Sequence, residues 1–408
     1  MKRVIPSGLV ALCLLAAPAQ ADVAHAWVQL LPDGKATLRV IASGECASVG
    51  ASVPLSLRNR DGLQGMVDGA GAALSVCEAT FDRAAQASVT VGGQTLTVPQ
   101  EAPRRVAVIG DTGCRKEHPD SGQRCAAPDW IFDTVAQGVA AAGPDLVVHV
   151  GDFVYQWNCW NGDEGCGTES QLREWEYWQS DFFSKAKTLL PAAPWVFVRG
   201  NHEDCRQTDR GWRGWSIFFA PEGSESDQAT CAKDQAADLS YMISLPGGTA
   251  PALDLLVYDS ADEIPFKASD FAKAEGRSDA VWLLTHVPLW SVYQTYDDSL
   301  PDSIQMVLSG HEHLFEMVQA SAEDPPQLVV GGSGTKLEAP HRRPRFHLFE
   351  MDFYNFSFVI IDRPASGPVV VTECIVPASG QVQAAKSWTV QGRTISAITA
   401  VQDACVPS

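Results

Sequence analysis

The residues able to do chemistry fall at intervals along the chain. They are Asp111 in GDTG, Asp152 and Tyr155 in GDFVY, Asn201 and His202 in RGNHED, His286 in LLTHVP, and His311 and His313 in SGHEH. All are oxygen or imidazole donors, which suit ferric iron, zinc or manganese better than a soft thiolate metal. A carboxylate at a strand end can bridge two ions about 3.5 to 4 Å apart, and such pairs commonly serve displacement at phosphorus. Singly, each residue has a plainer reading. Asp111 or Asp152 serves as a turn or helix N-cap residue, Asn201-His202 as a cap, and His286 as a buried core histidine. His311 and His313 say more, because alternate residues of an extended segment point the same way. Found in order, each behind an apolar run, they read together as a two-metal site.

The runs that position them begin at Arg105. RVAVIGD, DLVVHVGD, PWVFVRGN, LDLLVYDS, AVWLLTH and IQMVLSGH are apolar through their length and end on a polar turn. Strands buried on both faces have this composition, and it predicts a layered α/β domain. In open α/β sheets ligands bind beyond the carboxyl ends of the strands, where these polar residues fall. His149, inside LVVHVGD, reads as core. QLVVGGSG, FHLFEMDF and NFSFVIID read as further strands.

Upstream, AWVQLL, ATLRVIAS, ASVTVGG and TLTVPQ alternate between Gly, Asp and Pro turns and predict a small β-domain over 22–102. The catalytic unit is expected over 103–362, and 363–408 reads as a β-rich C-terminal extension. Residues 1–21 have a basic start, a short apolar run and a terminal Ala-Gln-Ala, the pattern of a cleaved signal peptide. An exported protein, periplasmic or secreted, is expected. Of 11 cysteines, Cys13 lies in that leader, and an even remainder predicts disulfides in an oxidising compartment. Proximity favours Cys46–Cys77, Cys114–Cys125, Cys159–Cys166, Cys205–Cys231 and Cys374–Cys405, among the other connectivities that spacing allows. A net charge of −19 repels polyanions at long range, which argues against nucleic acid as the ligand. No later stretch is long and apolar enough to span a bilayer, so stable membrane association is not expected.

GDTG, GDFVY, GNHE, LTHV and GHEH, in that order from Arg105 to Asp362, resemble the blocks of calcineurin-like metallophosphoesterases. Most of that superfamily has His two residues after the first Asp. Here Gly113 stands there and Tyr155 completes a GDxxY motif, similar to the purple acid phosphatases. The resemblance implies a metallophosphoesterase-type four-layer sandwich, two mixed β-sheets flanked by helices, with the small β-domain in front. It implies two metal ions, one held by Asp111, Asp152, Tyr155 and His313, the other by Asp152, Asn201, His286 and His311, with Asp152 bridging. A tyrosinate ligand implies ferric iron at the first site, because a phenol with a free pKa near 10 needs a strong Lewis acid to stay deprotonated. Iron(II), zinc or manganese fits the second.

The activity so implied is hydrolysis of phosphate esters, monoesters ahead of diesters, by attack of a metal-activated hydroxide. His202 would stabilise the phosphoryl oxygens or protonate the leaving group. The expected partner is a small phosphorylated substrate, with no protein partner. A phosphodiesterase or phospholipase on the same site is the nearest rival, and an inactive secreted binding protein a rival of another class. The chain departs from plant-type purple acid phosphatases in having no histidine between His286 and Gly310, which leaves substrate choice open. His118, Arg115 and Arg206 are nearby substrate-side candidates. The tryptophan-rich loop YQWNCWNGDEGC and the following EWEYW either wall the pocket or pack as core.

Overall fold

The computed structural model describes residues 21–58, 66–115, 123–125, 129–155, 171–205, 211–221, 231, 240–263, 265–290, 296, 298–338, 349–377, 380–398 and 404–406. His118, Arg206, the loop 156–170 with Cys159 and Cys166, and nearly all of the expected leader lie outside the described residues.

Every apolar run from Arg105 onward forms a strand. Arg105–Ile109, Leu146–His149 and Trp195–Phe197 lie parallel at the centre of one sheet. Leu253–Tyr258, Ala280–Leu284, Ile304–Ser309 and Gln327–Val330 lie parallel in a second, with antiparallel strands at its margins. Among the described residues the first sheet has 11 strands and the second 7.

Strand alternation explains the layering. Val106, Val108, Leu146, Val148 and Val196 share one buried cluster with Leu253, Leu255, Trp282, Leu284, Met306 and Leu308, so this cluster is the space between the sheets. The intervening Ala107, Ile109, Val147, Trp195 and Phe197 face outward, onto Phe132, Val135 and Val139 of the helix Phe132–Ala141. On the far side, Leu256, Val281, Leu283 and Val307 are covered by Phe271 and Ala274 of the helical segment Ala268–Ala274. Both faces of the central strands are buried, as their continuous apolar sequence requires. The arrangement has the four layers expected: cover, sheet, sheet, cover.

The N-terminal β-region is present, and most of it continues the first sheet. Val23–Leu30 pairs in parallel with Trp195–Phe197 through Gln29 and Trp195, and Lys35–Ser43 and Leu74–Asp82 extend the sheet beyond it. Among the described residues of this region, only Ser88–Val91 and Gln94–Thr97 form a separate pair of strands. At the opposite side, Ser357–Asp362 pairs with Arg105–Ile109 and is followed outward by Val369–Ile375, Gln383–Gln391 and Thr394–Ile398.

The pairs Cys46–Cys77, Cys114–Cys125, Cys205–Cys231 and Cys374–Cys405 are bonded, matching the expectation from proximity. EWEYW ends the helix Gln171–Trp178. Trp175 and Trp178 are buried against Phe183, Phe218 and Phe219, so this part of the tryptophan-rich region is core. Among the described residues, no helix is long and apolar enough to cross a membrane.

Candidate metal centre

The central strands of both sheets deliver their carboxyl ends to one side of the sandwich, where Asp111, Asp152, Asn201, His286, His311 and His313 meet. Asp111, Asp152 and His311 hold φ of 53°, 56° and 72°. A left-handed backbone is uncommon outside glycine and costs energy at each residue, and such conformations gather where a side chain must be aimed. The glycine before Asn201 is needed for space, since a Cβ there would fall 2.1 Å from Asp152 Oδ1.

Each carboxylate divides its oxygens between the backbone and the site. Asp111 Oδ2 accepts from the His311 N–H at 3.0 Å, and Asp152 Oδ1 from the His202 N–H at 2.9 Å. The remaining oxygens, Asp111 Oδ1 and Asp152 Oδ2, both lie 2.9 Å from the Tyr155 hydroxyl. His313 Nε2 is 3.2 Å from that hydroxyl. On the other side of Asp152, His286 Nε2 lies 3.3 Å from Oδ2 and 2.9 Å from Asn201 Oδ1, and His311 Nδ1 stands 3.3 Å from the same amide oxygen.

Two imidazoles are oriented from behind. His286 Nδ1 donates to the Val150 carbonyl at 2.8 Å and His313 Nδ1 to the Lys336 carbonyl at 3.0 Å, so each Nε2 faces inward. An anchored distal N–H is the usual support of a metal-binding histidine. Donor atoms of Asp111, Asp152 and His286 all lie within 4.8 Å of one another. The donor set and its supports therefore fit metal ions, with Asp152 placed between two groups of donors.

The electrostatics agree. Burial pushes the Asp111 carboxyl well above the usual carboxylate range, and the nearby Asp152 adds to this. Burial pulls His286 down, but the charge and hydrogen bond of Asp152, with Asp111 and the Val150 carbonyl, together drive the imidazole up to about 10. Burial would also raise Asp152, yet the positive charge of His286, then of His202, holds it well below its ordinary value. Burial, then Asp111 and Asp152, push the Tyr155 phenol well up. Asp111 and Tyr155 thus hold protons that a bound cation would displace, so cation binding would be coupled to proton release.

His202 and His311 are half-buried while the other expected site residues are buried, so the cluster opens on their side. The His202 ring lies 4.2 Å from the Tyr155 ring, centroid to centroid. Arg115 pairs with Glu338 beside His313, at the rim. His149 is buried as expected, 3.0 Å from Thr112 Oγ1 and stacked on Phe153.

Three supporting residues escaped the sequence reading. Glu203 is fully buried, and its carboxylate accepts from the Phe153 and Gly200 N–H groups at 3.0 and 3.2 Å, tying the second motif to the third. Burial and then Asp152 raise its carboxyl to about 8. Its place in RGNHED, next to His202, was the available signal. Ser260 ends LDLLVYDS and Glu263 lies three residues beyond it; the polar ending matched the other strands, but the role of neither residue had a local mark.

The family model for calcineurin-like phosphoesterases matches residues 104–315, just over half of this chain. No curated protein matches it. Among solved structures, the purple acid phosphatase PPD1 from yellow lupin (Lupinus luteus) seeds aligns with a TM-score of 0.55 at 14% identity, over 90% of this chain and 74% of that one. A structure of PhoD aligns at TM-score 0.48 and 10% identity, over 93% and 92%. GAP50, the anchor in the inner membrane complex of Plasmodium, aligns at 0.41 and 12%, over 74% and 90%. The likeness to the lupin structure is one of fold.

Proposed function

We propose, from the premise that the chain belongs to the calcineurin-like phosphoesterase family and is a metal-dependent phosphoesterase, that it is an exported dinuclear enzyme favouring phosphate monoesters. Asp111, Asp152, Tyr155 and His313 would hold one ion, ferric iron. Asp152, Asn201, His286 and His311 would hold the other, iron(II), zinc or manganese. The observation that carries this reading is the Tyr155 hydroxyl, 2.9 Å from both Asp111 Oδ1 and Asp152 Oδ2 and 3.2 Å from His313 Nε2. A phenol pushed up by burial between two carboxylates loses its proton only beside a strong Lewis acid, which favours ferric iron there.

When bound, the ions would neutralise phosphate oxygens and lower the pKa of a water. The protein's own part is orientation and proton handling. The backbone bonds of Asp111 and Asp152 hold their inward oxygens in place, and the Val150 and Lys336 carbonyls fix the inward nitrogens of His286 and His313. His202 is held at the mouth by its N–H bond to Asp152 and its contact with Tyr155, where its partly exposed ring can reach a phosphoryl or leaving-group oxygen. Export is supported by the leader-like sequence and by four disulfides among the described residues.

The test is metal analysis with a visible spectrum on protein purified from the exported fraction without chelators, then turnover of aryl phosphate monoesters and diesters. Two metals per chain, a broad visible band and faster monoester hydrolysis are expected. Two colourless metals with activity would remove the ferric–tyrosinate assignment. Faster diester cleavage would favour the phosphodiesterase, and loaded protein without turnover the binding protein.

A further inference from the structure

One short segment, 259–263, touches the supports of two strand ends outside its own strand. Asp259 pairs with Arg199 at 3.2 Å, just before Asn201. Ser260 Oγ accepts from the backbone N–H groups of His286 at 3.1 Å and Val287 at 2.9 Å. Glu263 Oε1 accepts from Asn201 Nδ2 at 2.6 Å.

The last contact decides chemistry. Asn201 can present either end of its amide, and only its oxygen can ligate a cation. A carboxylate is an acceptor, so it draws the NH₂ end toward itself; turning the amide over would set oxygen against oxygen. With Nδ2 on Glu263, Oδ1 faces His286 Nε2 and His311 Nδ1. Glu263 is exposed and holds a φ of 54°, set by a turn in which its N–H bonds the Ser260 carbonyl at 3.0 Å.

We infer that segment 259–263 is the positioning device of the second metal site: Glu263 selects the end of Asn201 that faces the ion, and Ser260 fixes the backbone from which His286 projects. The inference rests on the dinuclear reading above. Glu263 is a positioning residue, acting through Asn201.

The test uses full-length, metal-loaded protein with Glu263→Gln, Glu263→Ala and Glu263→Lys. Release of the second ion is followed by competition with a chromophoric chelator after loading with Zn²⁺. The visible band reports the first site, and thermal unfolding reports the fold. Gln can still offer a carbonyl oxygen to Asn201 and should hold the ion like wild type. Ala should weaken it about 10-fold, and Lys, a donor that favours the inverted amide, about 100-fold, the range typical of lost outer-shell partners. Band position and unfolding midpoint should not move. Equal retention of the second ion in all variants would overturn the inference while leaving the dinuclear reading intact. Loss of the band or fold together with the second ion would overturn it as well, by showing a general structural role. A wild-type protein that binds only one ion would remove both.

Discussion

A Cβ atom on Gly113 would stand 2.9 Å from Cδ2 of Tyr155 and 2.6 Å from the Phe153 carbonyl oxygen, so any side chain at 113 and the Tyr155 ring compete for one space. Glycine, where most of the superfamily has histidine, thus leaves room for the Tyr155 ring and for the Phe153–Val154 backbone together. Gly113→Ala should therefore displace Tyr155. Overpacking of this kind should lower the unfolding free energy by about 1 to 3 kcal/mol. The visible band should shift or fade. Denaturant unfolding and absorbance check this, and an unchanged spectrum with unchanged stability would sink it.

His202 should matter to turnover and not to metal retention. It reaches the cluster through its backbone N–H and ring face, while its side chain stays partly exposed. His202→Ala is expected to lower kcat about 100- to 10,000-fold, the span of a lost general acid. Metal content should stay near wild type. Coincident loss of metal would assign it a structural role instead.

Glu373 provides a pH test at a residue outside the expected metal ligands. It is buried in the strand Val369–Ile375, opposite Lys386. Burial raises its carboxyl from an ordinary 4.5 to about 8, with Lys386 and then Ser357 pulling the other way. The folded chain thus keeps a proton that the unfolded chain has released. The associated stability is fully present below the unfolded value and is lost as pH rises through about 8. Glu373→Gln should gain stability relative to wild type as pH rises from about 5 to about 9. Parallel stability curves for the two proteins would refute this.

The Cys374–Cys405 bond closes a separation of 31 residues and ties the chain's end beside the central sheet, where the Arg105 guanidinium meets the Ala404 carbonyl. Chain entropy sets the cost of losing it at about 3 to 4 kcal/mol. The Cys374→Ser/Cys405→Ser variant should show that loss in denaturant titrations while its turnover at room temperature stays near wild type. A loss of turnover without a loss of stability would contradict this account.

What could be read without the tertiary structure was local. A strand buried on both faces must be apolar throughout, so RVAVI, LVVH and their successors were legible as central strands. The polar residues that ended those runs were legible as neighbours, because parallel strands deliver their carboxyl ends to one side. Cysteines close in sequence were also matched correctly wherever the structure describes them.

The rest depended on contacts between distant residues. Nothing in AWVQLL shows that Gln29 will pair beside Trp195, so a β-region that reads as separate in composition continues the central sheet. Nothing in EWEYW shows that its tryptophans will meet Phe218 and Phe219. Glu203, Ser260 and Glu263 act on residues 50, 26 and 62 positions away. Hydrophobic period and turn chemistry decide which residues arrive at the strand ends. Which imidazole nitrogen faces inward, and which end of an amide, is decided by hydrogen-bond partners that only folding brings near. The sequence therefore determined the donors, and the tertiary structure determined how each is aimed.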